Sequence, residues 1–504
     1  LLARGRIPVD ELRAAFPRAR AALGALASRG LVRRETEAPV ARAGVLASGG
    51  AAPALTPAQA AALARIEGAF GAFATFLLHG VTGSGKTEVY LQAIARARAA
   101  GRGALVLVPE IALTPQLSGR FRARFGDEVA LLHSGLSDAE RHAEWLRLRR
   151  GEARICVGVR SAIFAPVEDL AVIVVDEEHE QSFKQEDGPA YHARDLAVVR
   201  GRLEDAVVIL GSATPSLESL ENARRGRYRA LTLPVRVDDR PMPAVELVNL
   251  SGARRGGRAP AAGLISPPLA AALDETLLAG QQAILFLNRR GYQSLVLCEA
   301  CGAEARCPDC SVSQTHHARR GLLLCHYCGK SEPMNGLCPA CGGLRFGLGV
   351  GTEQVEEAVR GLLPRARVER LDRDTVTTAD DTAGVLARFA RREVDVLVGT
   401  QMVTKGHDFP GVTLVGVVLA DTALALPDFR AAERTFQLLA QVAGRAGRGA
   451  DAGRVLIQTF NPRSPAIARA VAHDYLGFAE EELARRQVLH YPPYARLLAV
   501  RVEG

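Results

Sequence analysis

Lysine is nearly absent from this 504-residue chain: of 63 basic residues other than histidine, only Lys86, Lys184, Lys330 and Lys405 are lysine. Tryptophan occurs once, methionine three times, and aromatic residues make up 5% of the chain. No run of about 18 uncharged apolar residues occurs, so no membrane-spanning helix and no membrane partner are expected. Eight of the nine cysteines lie between Cys298 and Cys341, leaving only Cys156 elsewhere. That distribution excludes a disulfide scaffold and suits a reducing, cytosolic compartment. There is no solenoid repeat, and the chain opens on Leu1 rather than Met, so a fragment is expected. At this length one hydrophobic core is not enough, and three or more domains are expected.

The net charge of +8 and pI near 9.2 suit an acidic partner such as nucleic acid. An Arg-rich, Ala- and Gly-rich composition also reflects GC-rich codon usage, which makes the four retained lysines more informative than the bulk charge. A lysine kept against such a bias marks a place for a compact ammonium rather than a planar fork.

Residues 1–40 show a helix pair leading to a strand, the outline of a partial winged-helix module, with nine arginines against four acidic residues in the first 50. Residues 41–54 read as a linker. From 55 to 250, apolar runs such as "FLLHG", "ALVLVPE", "AVIVVDEE" and "AVVILGS" alternate with helical stretches, as in a parallel sheet covered on both faces. A Gly- and Arg-rich linker (251–264) interrupts the alternation. It resumes over 265–297 and 342–475, giving a second α/β lobe with the cysteine module, 298–341, inserted after its first strand. Residues 476–504 are expected to begin a C-terminal domain.

The stretch "GVTGSGKT" (Gly80, Val81, Thr82, Gly83, Ser84, Gly85, Lys86, Thr87) follows an apolar strand and opens a helix, the context of a P-loop. Its glycines let backbone N–H groups turn inward on phosphates, and the helix adds its positive end. Lys86 is expected on the β- and γ-phosphates of ATP and Thr87 on Mg²⁺. "AVIVVDEEHE" ends a buried strand in Asp176, placed to anchor Mg²⁺, and Glu177, placed to orient the attacking water. "VILGSATPS" puts Ser212, Ala213 and Thr214 at another strand end, within reach of His179. "QVAGRAGRG" is expected to set Gln441, Arg445 and Arg448 on one helix face, with both arginines acting on the γ-phosphate as arginine fingers.

The four C-x-x-C pairs supply eight thiolates, enough for two closed tetrahedral Zn²⁺ sites. Spacing leaves three ways to partition them, although Cys307/Cys310 with Cys325/Cys328 has the look of a zinc ribbon. Gly302, Gly329 and Gly342 follow the second cysteine of three pairs and free the knuckle backbone to turn. His316, His317 and His326 are not needed as ligands. A module this small should fold only with its metal.

Together the P-loop, DEEH, SAT and QxxGRxGR stretches resemble the superfamily 2 helicases. "LVPEIALTPQ", "GVRSAIFAP", "DEEHEQSFKQEDGPAYHARDLAV", "FLNRRGYQSLVLCEACG" and "GTQMVTKGHDFPGVTLV" are similar to one family among them, the PriA replication-restart helicases. The resemblance implies two RecA-like parallel-sheet lobes with ATP, Mg²⁺ and two Zn²⁺. It implies one zinc on Cys298, Cys301, Cys338 and Cys341, and the other on Cys307, Cys310, Cys325 and Cys328. It implies contacts to single-stranded DNA from Arg160, Ser161, Thr400, Gln401 and Lys405. Phe183, Lys184 and Gln185 would belong to an aromatic-rich loop coupling DNA to ATP turnover, and Gln59 would read adenine. It further implies 3′→5′ unwinding at stalled forks, primosome assembly, forked DNA, primosome proteins and single-stranded DNA-binding protein as partners, a monomer, and a bacterial cytoplasmic, nucleoid-associated location. Val159 stands where the family usually shows Thr, and Asn249 where Asp is common. A double-strand translocase and an ATP-binding scaffold are the competing readings.

Overall fold

In the computed structural model, the described residues are 19–32, 53–109, 115–237, 242–251, 264–288, 295–317, 320–334, 336–348, 351–372, 375, 379–400, 403, 409–424, 426–447 and 453–498. Of the expected winged helix, only the helix Ala19–Ser28 and its closing turn fall within them.

The first lobe is built on strands β1 (Ala74–Gly80), β2 (Gly103–Leu107), β3 (Val129–Leu132), β4 (Ile155–Gly158) and β5 (Leu170–Asp176). A two-residue hairpin, β6 (Lys184–Gln185) and β7 (Tyr191–His192), stands outside its sheet, followed by β8 (Val207–Ser212) and β9 (Arg229–Leu233). Seven of these pair in parallel in the order β3-β4-β2-β5-β8-β1-β9. All but the edge strand β9 are apolar almost throughout because both faces are covered, whereas β9 buries only Leu231 and Leu233. Along β1, Phe76 and Leu78 enter one core and Leu77 enters the other. Parallel strands need crossovers, so every loop carrying a chemical motif leaves the C-terminal edge of a strand.

The second lobe contains β10 (Ala244–Asn249) and β11 (Gln282–Phe286). The inserted module carries β12 (Leu295–Cys298), β13 (Thr315–His317), β14 (Leu322–Leu324), β15 (Ser331–Pro333) and β16 (Arg345–Leu348). The lobe closes with β17 (Val368–Leu371), β18 (Val396–Gly399), β19 (Val412–Val417) and β20 (Arg454–Thr459). Its sheet order is β10-β20-β19-β11-β18-β17. Three expected boundaries move. β10 pairs with β20 from Ala244↔Arg454 to Asn249↔Thr459, so 244–249 belongs to the second lobe and not to a first lobe ending at 250. β12 pairs with β16, which makes the module's stalk longer than 298–341. The helix Tyr475–Val488 sinks Tyr475, Phe478, Ala479 and Leu483 into the second-lobe core and so completes that lobe instead of opening a new domain. Among the described residues no helix is long and apolar enough to cross a membrane.

Candidate functional site at the seam of the two lobes

The P-loop bridges β1 and the helix Lys86–Ala99. Gly83 and Gly85 take φ of +82° and +77°, and a Cβ at Gly85 would collide with the Gln59 amide. Only glycine meets both demands. Lys86 Nζ donates to the Gly80 carbonyl at 2.8 Å, folding the ammonium back over its own loop. Gln59 is neither exposed nor free to read a base. It is 3% exposed, its Nε2 donates to the Ser84 carbonyl at 2.8 Å, and its Oε1 accepts from Thr56 N in a capping box. Its amide therefore buttresses the loop. A segment following β9 lies against the same loop: Val81 N–H donates to Leu233 O, Val237 N–H to Gly83 O, and Arg236 Nε to Thr82 O.

Asp176 ends β5 opposite the loop. Burial and the neighbouring Glu177 carboxylate push its carboxyl up to about 6, against the opposing pull of Lys86 and of the Tyr90 hydroxyl. Two crowded carboxylates short of positive charge are what a divalent cation relieves, so the residues fit Mg²⁺. Tyr90 Oη donates to Asp176 Oδ1 at 3.1 Å and sits where a Cβ at Gly211 would be. Glu177 holds a left-handed backbone, φ +49°, uncommon for glutamate and frequent at reactive positions. His179 Nδ1 lies 2.7 Å from Ser212 Oγ, and Thr214 N–H donates to the same hydroxyl. Both hydroxyl residues are buried, so they link motifs internally and touch no surface.

Glu178 has no exposed surface. It accepts from Ser216 N–H, Ser216 Oγ and Ser219 Oγ, and pairs with Arg194 at 3.2 Å. It thereby fastens the acidic motif to the helix Leu217–Arg224, whose Leu217 N–H donates across the seam to Glu433 Oε1 at 2.9 Å. Gln437 Nε2 reaches Thr214 O, Arg430 pairs with Glu218 at 2.5 Å, and Tyr475 Oη donates to Pro215 O. Burial pushes the Glu218 carboxyl up, but Arg430, Arg194 and Arg486 outweigh it and hold the group at about 2. Arg486, 1% exposed, pairs with Glu433 at 2.7 Å and Glu482 at 3.1 Å. Spacing does not flag Glu178, Glu218 or Glu433, whose partners lie far away in sequence; only Glu482 stands at helical spacing from Arg486.

Gln441 lines a small seam cavity of about 30 Å³ with His179, Gln181, Arg434 and Gln437. The expected single helix face for Gln441 and the two arginines is not what forms. The helix Ala431–Ala443 stops at its Gly444 cap, Arg445 lies in the following turn, and Gly447 has φ +66°. Gly444 packs on Thr82 of the P-loop closely enough to leave no room for a Cβ, which brings this turn to the nucleotide cleft. Arg448, Gln401 and Lys405 lie outside the described residues.

The DNA-side expectations divide. Arg160 Nη1 donates to Lys184 O at 2.7 Å, and Ser161 and Lys184 are exposed. Thr400 is half-buried at the end of β18, its N–H directed to Leu371 O. Phe183 has no exposed surface and belongs to a first-lobe core, so it packs and cannot meet DNA.

The eight thiolates form two clusters, Cys298/Cys301/Cys338/Cys341 and Cys307/Cys310/Cys325/Cys328, with all Sγ in each within 4.8 Å of one another. Sγ···Sγ separations of 3.4 Å (Cys298–Cys341) and 3.7 Å (Cys301–Cys338) in the first and 3.7 Å (Cys307–Cys328) in the second compare with about 3.8 Å for the edge of a tetrahedron with Zn–S near 2.3 Å. The donor sets fit zinc. Four knuckles repeat one turn, in which Gly302, Ser311, Gly329 and Gly342, all at positive φ, donate N–H to the carbonyl of the first cysteine of each pair. The second cluster is docked on the lobe by Tyr491 Oη to Cys310 O at 2.8 Å and Arg485 Nη2 to Ser311 O at 3.0 Å.

Comparison with known proteins agrees with this geometry. The DEAD/DEAH box helicase model matches residues 56–223, the helicase conserved C-terminal domain 351–450, and the PriA DNA helicase Cys-rich region (CRR) domain 307–333. The chain is 50% identical over 429 residues to replication restart protein PriA of Bacillus subtilis (strain 168), covering 85% of this chain and 53% of that protein. It is 45% identical over 515 residues to replication restart protein PriA of Synechocystis sp., covering 99% and 61%. The chain thus spans little more than half the length of these relatives. In fold it is similar to RecG bound to a three-way DNA junction (TM-score 0.51, 19% identity, 85% of this chain and 46% of that one). It is also similar to Mss116p bound to single-stranded RNA and AMP-PNP (TM-score 0.50, 14% identity, 87% and 77%).

Proposed function

The chain belongs to the PriA replication restart family, and on that premise we propose that it is the ATP-driven motor of a DNA helicase acting at stalled replication forks. The observation that carries this reading is the seam itself. Gly444, from which the Arg445 turn leaves the second lobe, packs on Thr82 of the P-loop, the loop that carries Lys86 and faces Asp176 and Glu177 in the first lobe. Hydrolysis machinery split between two bodies converts a chemical step into relative motion.

ATP with Mg²⁺ supplies the phosphoryl bond whose cleavage drives the cycle. Lys86 would exchange its Gly80 carbonyl for phosphate oxygens, and Thr87 and Asp176 would hold the cation. Glu177 orients the attacking water, and Arg445 and Arg448 neutralise charge that develops on the γ-phosphate. His179, Ser212, Thr214 and Gln437 carry the state of the cleft between the lobes. DNA lies across both lobes on Arg160, Ser161, Lys184, Thr400, Gln401 and Lys405. The two cysteine clusters would each hold a Zn²⁺ that braces the module, leaving it a rigid surface where strands part or partners dock. Family membership supports 3′→5′ movement, a monomer, forked and single-stranded DNA, single-stranded DNA-binding protein and primosome proteins as partners, and a place at the bacterial nucleoid in the cytoplasm.

ATP hydrolysis and strand displacement on a forked substrate, compared for the native chain and Lys86→Ala, test the reading. Both activities should vanish in the variant. ATP hydrolysis without displacement in the native chain leaves a translocase, and neither activity leaves a scaffold.

A further inference from the structure

A cavity of about 350 Å³ opens on the first lobe beyond the ends of β3 and β4, apart from the nucleotide cleft. Three aromatic rings line it in a chain poor in them: Trp145, Phe164 and Tyr191. Phe164 is 62% exposed and meets Tyr191 edge-on, with ring centroids 5.3 Å apart. Arg141 and Arg160 stand in the same wall, and Arg160 fixes that wall by donating to the Ser182 and Lys184 carbonyls. The Ser182 hydroxyl, buried in the lining, has no hydrogen-bond partner among the described residues.

These features belong to one kind of ligand. The volume is that of a small-molecule site, about 300–1,000 Å³. Aromatic faces call for a planar partner with its own π-face, the guanidinium groups for adjacent anions, and the Ser182 hydroxyl for a polar edge. A groove that tracked only phosphodiester charge would need the arginines and neither the rings nor the hollow. Resting on the DNA reading above, we propose that this cavity takes one nucleobase unstacked from the bound strand, its flanking phosphates held by Arg141 and Arg160.

Trp145 is the chain's one tryptophan, so intrinsic indole fluorescence reports this cavity and nothing else. The full chain is titrated with an oligothymidylate and with an abasic strand of equal length, while anisotropy of labelled strands records binding independently. Oligothymidylate should quench Trp145 and the abasic strand should not. Phe164→Ala, at an exposed ring, should weaken oligothymidylate binding on the order of 10-fold and leave abasic binding unchanged. Binding without quenching, or equal quenching by both strands, overturns the pocket and leaves the motor reading intact. Failure to bind either strand overturns the DNA reading and the pocket with it.

Discussion

Glu433 is where the two lobes can be weighed against each other. Its carboxylate, 2% exposed, accepts from Leu217 N–H of the first lobe and from Arg486 Nη2 of the last helix. In Glu433→Ala, Arg486 keeps Glu482 at 3.1 Å and a distant Glu218 at 3.9 Å, and the Leu217 amide loses its acceptor. Removing one partner of a buried pair costs about 3–5 kcal/mol, mostly because the remaining charge is left under-compensated. For a lobe of roughly 200 residues that lowers Tm by on the order of 10 °C. Adding Arg486→Met removes the stranded charge and should recover about half of the loss, since a buried pair replaced by apolar groups is often near neutral. Thermal unfolding followed by circular dichroism on the native chain, both single variants and the double variant supplies the cycle. A Glu433→Ala shift below about 2 °C, or a double variant as unstable as the two single losses added, would refute the argument that this pair is buried, tight and shared across the seam.

Two further outcomes follow from the site. Tyr90→Phe removes a hydrogen bond that holds the Asp176 carboxyl down, so Asp176 should titrate higher than its present value of about 6. Because the ionised carboxylate is the form that holds Mg²⁺, the acid limb of kcat/KM for ATP should move to higher pH; an unmoved limb excludes the Tyr90 contact as a determinant. The sign for stability is opposite: with its pKa raised by burial, nucleotide-free Asp176 disfavours folding increasingly as pH rises through about 6. For the metal module, inductively coupled plasma analysis should find two zinc per native chain. Cys301→Ser with Cys341→Ser, both in one cluster, should lose one zinc, whereas Cys301→Ser with Cys328→Ser should lose both. One zinc retained by the second combination would show that the thiolates are partitioned differently.

What could be read without coordinates is chemistry that requires fixed spacing or a repeating face. Gly80–Thr87 must follow a strand and start a helix because a phosphate cradle has no other local geometry, and the central strands of both lobes are apolar because both faces are buried, while the edge strands β9 and β10 stay largely exposed. The paired cysteines declare metal for the same reason, since two thiolates three residues apart bite one ion. Distance in space is not written in spacing. Three partitions of the cysteines satisfied it, and only packing brought Cys301 beside Cys338 and Cys307 beside Cys328. Phe183 and Phe164 look alike in a string, yet one fills a core and the other stands 62% exposed over a cavity. The strand 244–249 follows the first lobe in sequence but hydrogen-bonds to β20, and Glu433 finds Leu217 more than two hundred positions away. Sequence alone determined which local devices the chain carries; the tertiary structure decided which of them meet, because burial and long-range hydrogen bonding depend on the whole packed chain and on no window of it.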